Sequence, residues 1–92
     1  MSNIQDIHKL EQSIYDIVQD YVNECYNDED VLAICGRYGQ ISLLADRRES
    51  IKAGKNTEIF SLSELVRQDD HGMPEPDSDK ISDIANKWLF LN

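Results

Sequence analysis

The stretch VLAICGRYGQISLLAD, residues 31–46, decides the fold class of this chain. Both flanks are rich in Val, Ile and Leu, which pack well on a pleated surface, and between them lies GRYG with two glycines. Glycine reaches positive φ without steric cost, so Gly36 and Gly39 suit a chain reversal. A helix running through both would lose about 1 kcal/mol at each. The stretch therefore reads as a β-hairpin, 31–35 paired with 40–45.

Towards the N-terminus the apolar period changes. From Asn3 to Tyr26, the residues Ile4, Ile7, Leu10, Ile14, Ile17, Val18, Tyr21, Val22 and Cys25 recur at steps of three and four, which is one face of a helix. Asp6, Glu11, Asp16, Asp20 and Glu24 fall off that stripe, and NDED at 27–30 ends the segment with turn formers. Towards the C-terminus, Asp46 with Glu49 and a terminal Gly54 suggest a short helix, and TEIFS (57–61) reads as a third strand. Ser61 and Glu64 have capping-box spacing ahead of LSELVR, a run in which strand and helix both fit. Ile81, Ile84, Ala85 and Trp88 then restore the helical period. The expectation is a single α+β domain over 1–92. Two amphipathic helices, about 3–26 and 77–90, pack on one face of a small antiparallel sheet.

QDDHGMPEPDSDK, residues 68–80, raises the question of a metal-binding loop. A calcium loop of the EF-hand type needs oxygen ligands at positions 1, 3 and 5, glycine at 6 and glutamate at 12. With Gly72 at position 6, Arg67 falls at position 1, His71 at 5 and Ser78 at 12. The pattern fails at essential places. DDHG reads instead as a turn with a left-handed glycine, and the prolines of MPEP as an extended connector. Pro76 would open the last helix in its first turn, with Asp77, Ser78 and Asp79 meeting its free N–H groups.

Eighteen acids against nine bases give a net charge of −9. Residues 1–30 hold eight acids and Lys9, 31–60 three acids and five bases, and 61–92 seven acids and three bases. Both ends repel nucleic acid, and no basic stripe offsets them. GRYG matches the GxxG clamp of RNA-binding KH domains in letters alone, because that clamp joins helices on a basic surface. No apolar run spans a bilayer, and the N-terminus lacks a basic-then-apolar leader, so a cytoplasmic protein without membrane contact is expected. Cys25 and Cys35 do not have CxxC spacing, and His8 and His71 are too distant to complete a ligand set, so no cofactor is expected.

Catalytic signatures of the GxSxG, HExxH and phosphate-loop kinds do not occur, which points away from an enzyme. His8 falls on the polar side of the first helix. Two features favour binding. Asp16, Asp20 and Glu24 follow one helix ridge at i, i+4 and i+8, a surface suited to a partner with a basic face. In WLFLN, Leu89 and Phe90 point off the stripe marked by Trp88 and offer an apolar seam to a partner or to a second copy. The alternative is an anion- or small-ligand-binding domain using Arg47, Arg48, Lys52 and Lys55, the basic cluster of the chain.

In the order of DEDVLAIC, IFSLSELVR and PEPDSDKISDIANKWLF, residues 20–90 resemble small acidic uncharacterised proteins of gut anaerobic bacteria. The resemblance implies a helix, strands and a final helix, and it brings no activity with it. The functional expectation is thus a small non-catalytic interaction module or regulator, in a sharper form an acidic inhibitor or immunity-type protein that blocks a basic surface.

Overall fold

The computed structural model describes residues 4–25, 30–35, 40–44 and 57–91. β1 (Val31–Cys35) pairs antiparallel with β2 (Gln40–Leu44), Val31 opposite Leu44 and Cys35 opposite Gln40. β3 (Thr57–Ser61) lies antiparallel along the other side of β1, giving the order β2-β1-β3. Val31, Leu32, Ala33 and Ile34 are each at most 3% exposed. Burial on both faces explains why VLAI is continuously apolar rather than alternating. The GRYG turn at 36–39 and the short helix expected after Asp46 lie outside the described residues.

Leu32 and Ile34 share one face of β1, and there they join a single core cluster with the helices. α1 (Ile4–Asp20) contributes Leu10, Ile14 and Val18. It does not continue as one α-helix to Tyr26, because Tyr21–Cys25 form a π turn. The wider turn falls where two consecutive apolar residues, fully buried Tyr21 and half-buried Val22, both pack on the core. Ile81 and Ala85 of α2 (Ser78–Leu91) close the cluster, with Ile84 packed against it. α2 lies along α1, and the Ser82 hydroxyl donates to Glu11 Oε1 at 3.4 Å across the helix pair.

Between the sheet and α2 the chain makes a second, two-stranded sheet that the sequence reading did not foresee. A 3-10 turn, Leu62–Leu65, buries Leu62 and Leu65 and leads into β4 (Val66–Gln68), which pairs antiparallel with β5 (Pro74–Pro76). Ser61 occupies the cap position of the 3-10 turn with extended backbone, but its side chain makes no capping hydrogen bond, so the expected box with Glu64 does not form. Two prolines in a three-residue strand would ordinarily argue against a strand. Here Asp77 N–H donates to Leu65 C=O (2.7 Å) and Asp69 N–H to Met73 C=O (2.8 Å). Ladder bonds alternate, so Pro74 and Pro76 occupy the positions that face away from β4.

The turn of this hairpin has the left-handed glycine expected of DDHG. Asp69 Oδ1 accepts the N–H groups of His71 (2.8 Å) and Met73 (2.9 Å), while Gly72 N–H donates to Asp69 C=O (3.0 Å). Gly72 has φ +77°, the left-handed residue that follows a tight turn in a three-residue hairpin loop. The start of α2 also differs from expectation. Pro76 is a buried strand residue opposite Val66, and Asp77 caps the helix, its Oδ1 accepting Lys80 N–H at 3.2 Å. A carboxylate there meets a free donor, which a ring without polar atoms cannot do.

Two substitutions check this account. Ile14→Ala, at a fully buried position, should lower unfolding free energy by about 2–5 kcal/mol in a denaturant titration. Gly72→Ala meets no atom within 4 Å, so its cost is conformational alone, about 1–2 kcal/mol, and Gly72→Asn should cost less because Asn tolerates the left-handed region.

Candidate functional site

Each residue singled out for binding has a definite place or lies outside the description. Asp16, Asp20 and Glu24 are all exposed. Asp16 and Asp20 share a ridge of α1, whereas Glu24 belongs to the π turn, whose wider repeat rotates it off the straight i, i+4, i+8 line. Asp16 Oδ1 accepts a hydrogen bond from Gln12 Nε2 (2.8 Å), and Gln19 Nε2 donates to Asn23 Oδ1 (3.2 Å). Neither α1 nor the π turn carries a basic residue in its last turn. Leu89 and Phe90 are within α2, but their side chains, like the whole of Arg47, Arg48, Lys52 and Lys55, lie outside the described residues.

The ion pairs among the described residues all centre on Arg67. Its Nε reaches Glu75 Oε2 at 2.9 Å, and its Nη1 lies 3.6 Å from Asp79 and 4.0 Å from Asp77. Arg67 and Glu75 are opposite one another across β4 and β5, while Asp77 and Asp79 begin α2. The hydrogen bond to Glu75 raises the Arg67 guanidinium above its ordinary value, desolvation opposes this, and the charges of Glu75, Asp77 and Asp79 add to the rise. Arg67 Nη2 also donates to Ser78 Oγ at 3.3 Å. Sequence reasoning missed this network because Arg67 and Glu75 meet only once the hairpin register is known.

Consequently four of the five acids of 68–80 are occupied locally: Asp69 with the turn, Asp77 with the helix start, Glu75 and Asp79 with Arg67. Among the described residues no group of three or more His, Cys, Asp or Glu side chains converges as a metal site would require. Among the described residues exposed acids outnumber exposed bases. Asp16, Asp20, Glu24, Glu64, Asp70, Asp79 and Asp83 stand against Lys9, Arg67, Lys80 and Lys87.

Two open grooves flank α2. One of about 240 Å³ runs between α1 and the start of α2, lined by His8, Glu11, Gln12, Tyr15, Ser78 and Ile81. His8 is exposed there, as its place on the polar side of α1 required. The other, about 390 Å³, lies between β3, the 3-10 turn and α2, with Phe60, Leu65 and Ile84 among Glu64, Lys80 and Asp83. Lys80 Nζ donates to the main-chain oxygen of Glu64 at 3.1 Å and ties the two walls together. Neither groove was visible in the sequence, since each joins elements far apart along the chain.

Among the described residues no helix is long and apolar enough to cross a membrane. No family model, no curated protein and no solved structure matches the chain, so the layout resemblance of residues 20–90 gains no support from these comparisons.

Proposed function

We propose that the protein is a non-catalytic interaction module of the cytoplasm that engages a protein partner with a basic surface through the exposed acids of α1 and the π turn. One observation carries the reading: Asp16, Asp20 and Glu24 lie towards the negative end of the helix, and no described base pairs with them. An acid in the last helical turn, here Glu24, costs about 0.3–1 kcal/mol through the helix dipole, an effect that fades back along the helix towards Asp20 and Asp16. The Asp16–Asp20 pair adds a few tenths of a kcal/mol of like-charge repulsion. A cationic surface docked on this face would remove both penalties. The net charge of −9 would also speed its approach by long-range attraction. In its sharper form the module is an inhibitor or immunity-type protein that covers a basic surface of its partner.

The double variant Asp16→Lys with Asp20→Lys separates binding from folding. It should stay within about 0.5 kcal/mol of the parent in thermal unfolding, because two lysines four apart repel one another much as the two aspartates do. In affinity capture from host extract it should lose a basic partner that the parent retains at low salt and releases at about 1 M salt. Capture that is insensitive to both salt and charge reversal would reject the reading. Thermal stabilisation by inorganic phosphate would point instead to the anion-binding alternative at Arg47, Arg48, Lys52 and Lys55.

A further inference from the structure

Two strand edges of this molecule are finished differently. On β5 the outward-facing positions are Pro74 and Pro76, which have no N–H, so that edge offers no donor to an incoming strand. On β3 the bond from Leu62 N–H to Asp30 C=O (3.0 Å) fixes the phase of the ladder. Glu58 and Phe60 then direct their main chain towards β1, while Thr57 and Ile59 direct theirs outward. Among the described residues no strand pairs with that outer edge, and neither proline nor lysine interrupts it. The groove of about 390 Å³ opens at Phe60 of this strand, with apolar Phe60, Leu65 and Ile84, the carboxylates of Glu64 and Asp83, and Lys80, whose ammonium is turned to the Glu64 main-chain oxygen.

We infer that this edge and groove bind an extended segment of a partner polypeptide, which adds to β3 as a further strand and seats a large apolar side chain against Phe60, Leu65 and Ile84. The inference rests on the reading of the protein as an interaction module and gives it a second contact surface, away from α1. Main-chain bonds to Ile59 would supply attachment, and the groove would select every second side chain, since strand residues alternate between faces. The other occupant to consider is a second copy of the chain. Edge-to-edge pairing of two copies would bring the Glu58 and Glu64 carboxylates of both to one seam, in molecules that each carry a net charge of −9. A segment alternating apolar and basic residues meets the same carboxylates favourably.

The probes are three synthetic peptides, titrated by fluorescence anisotropy into the full chain. One alternates leucine and lysine, one has the same composition in blocks, and one is the alternating peptide N-methylated at every second residue. The alternating peptide should bind at least about tenfold tighter than either control, a difference of about 1.4 kcal/mol. Ile59→Pro, which removes the outward N–H without touching the bonds to β1, and Asp83→Lys should each weaken it by a similar factor. The Asp16→Lys, Asp20→Lys variant should bind it within about twofold of the parent. Equal binding of the block or N-methylated peptide would overturn the inference, as would a dimer in sedimentation that Ile59→Pro abolishes. Because N-methylation alters only the peptide, that result stands even where a protein variant unfolds. Loss of partner capture on α1 charge reversal, with no preference among the peptides, would leave the α1 reading intact and reject this one alone.

Discussion

The one buried cluster to which α1 and β1 both contribute is the constraint on which the other elements depend. Leu10, Ile14, Val18 and Tyr21 lie on one side of the helix and its π turn, Leu32 and Ile34 on one face of the strand, and all are at most 4% exposed. Each such side chain stabilises the fold by about 1.5–3 kcal/mol through removal from water. A chain of 92 residues has few others to draw on. α2 and the 3-10 turn complete this cluster rather than build a second core, for Leu62, Leu65, Ile81 and Ala85 all join it. What the molecule can expose for binding is whatever this arrangement leaves outside.

The parts legible in the sequence were those with a strong period. The three-and-four spacing of α1 and α2 located both helices, and the two apolar runs around GRYG located β1 and β2, because their signals come from many residues at once. The π turn was hidden, since Tyr21, Val22 and Cys25 fit an α period nearly as well as a wider one. The second sheet was hidden for another reason. Prolines at 74 and 76 look like strand breakers until the ladder phase shows that their missing N–H groups would have faced away from β4. Of the candidate sites, the exposed acids of α1 could be read from periodicity, whereas both grooves depend on which distant elements become neighbours.

Charge is distributed with a similar logic. Around Arg67 the carboxylates of Glu75, Asp77 and Asp79 converge on one guanidinium, joining β4, β5 and the start of α2. Exposed pairs of this kind hold geometry more than they add stability. On α1, Asp16 and Asp20 pair with no described base, and Glu24 in the π turn that follows opposes the helix dipole. The same residue type thus stands in two settings: in one place it organises the fold, and in the other it faces outward with no base beside it among the described residues.

Asp77 has a further significance, because it fastens three kinds of structure at once. Its N–H holds the end of the 3-10 turn through Leu65, its carboxylate receives Lys80 N–H, and its C=O accepts the first helical bond from Ile81. Lys80 reaches back to Glu64, so no contact of the knot spans more than 16 positions of sequence. Short loops are entropically cheap to close, while β1 meets β3 across a longer separation, from Cys35 with Thr57 to Val31 with Ser61. The C-terminal third is therefore tied together by contacts shorter along the sequence than those that join β1 to β3.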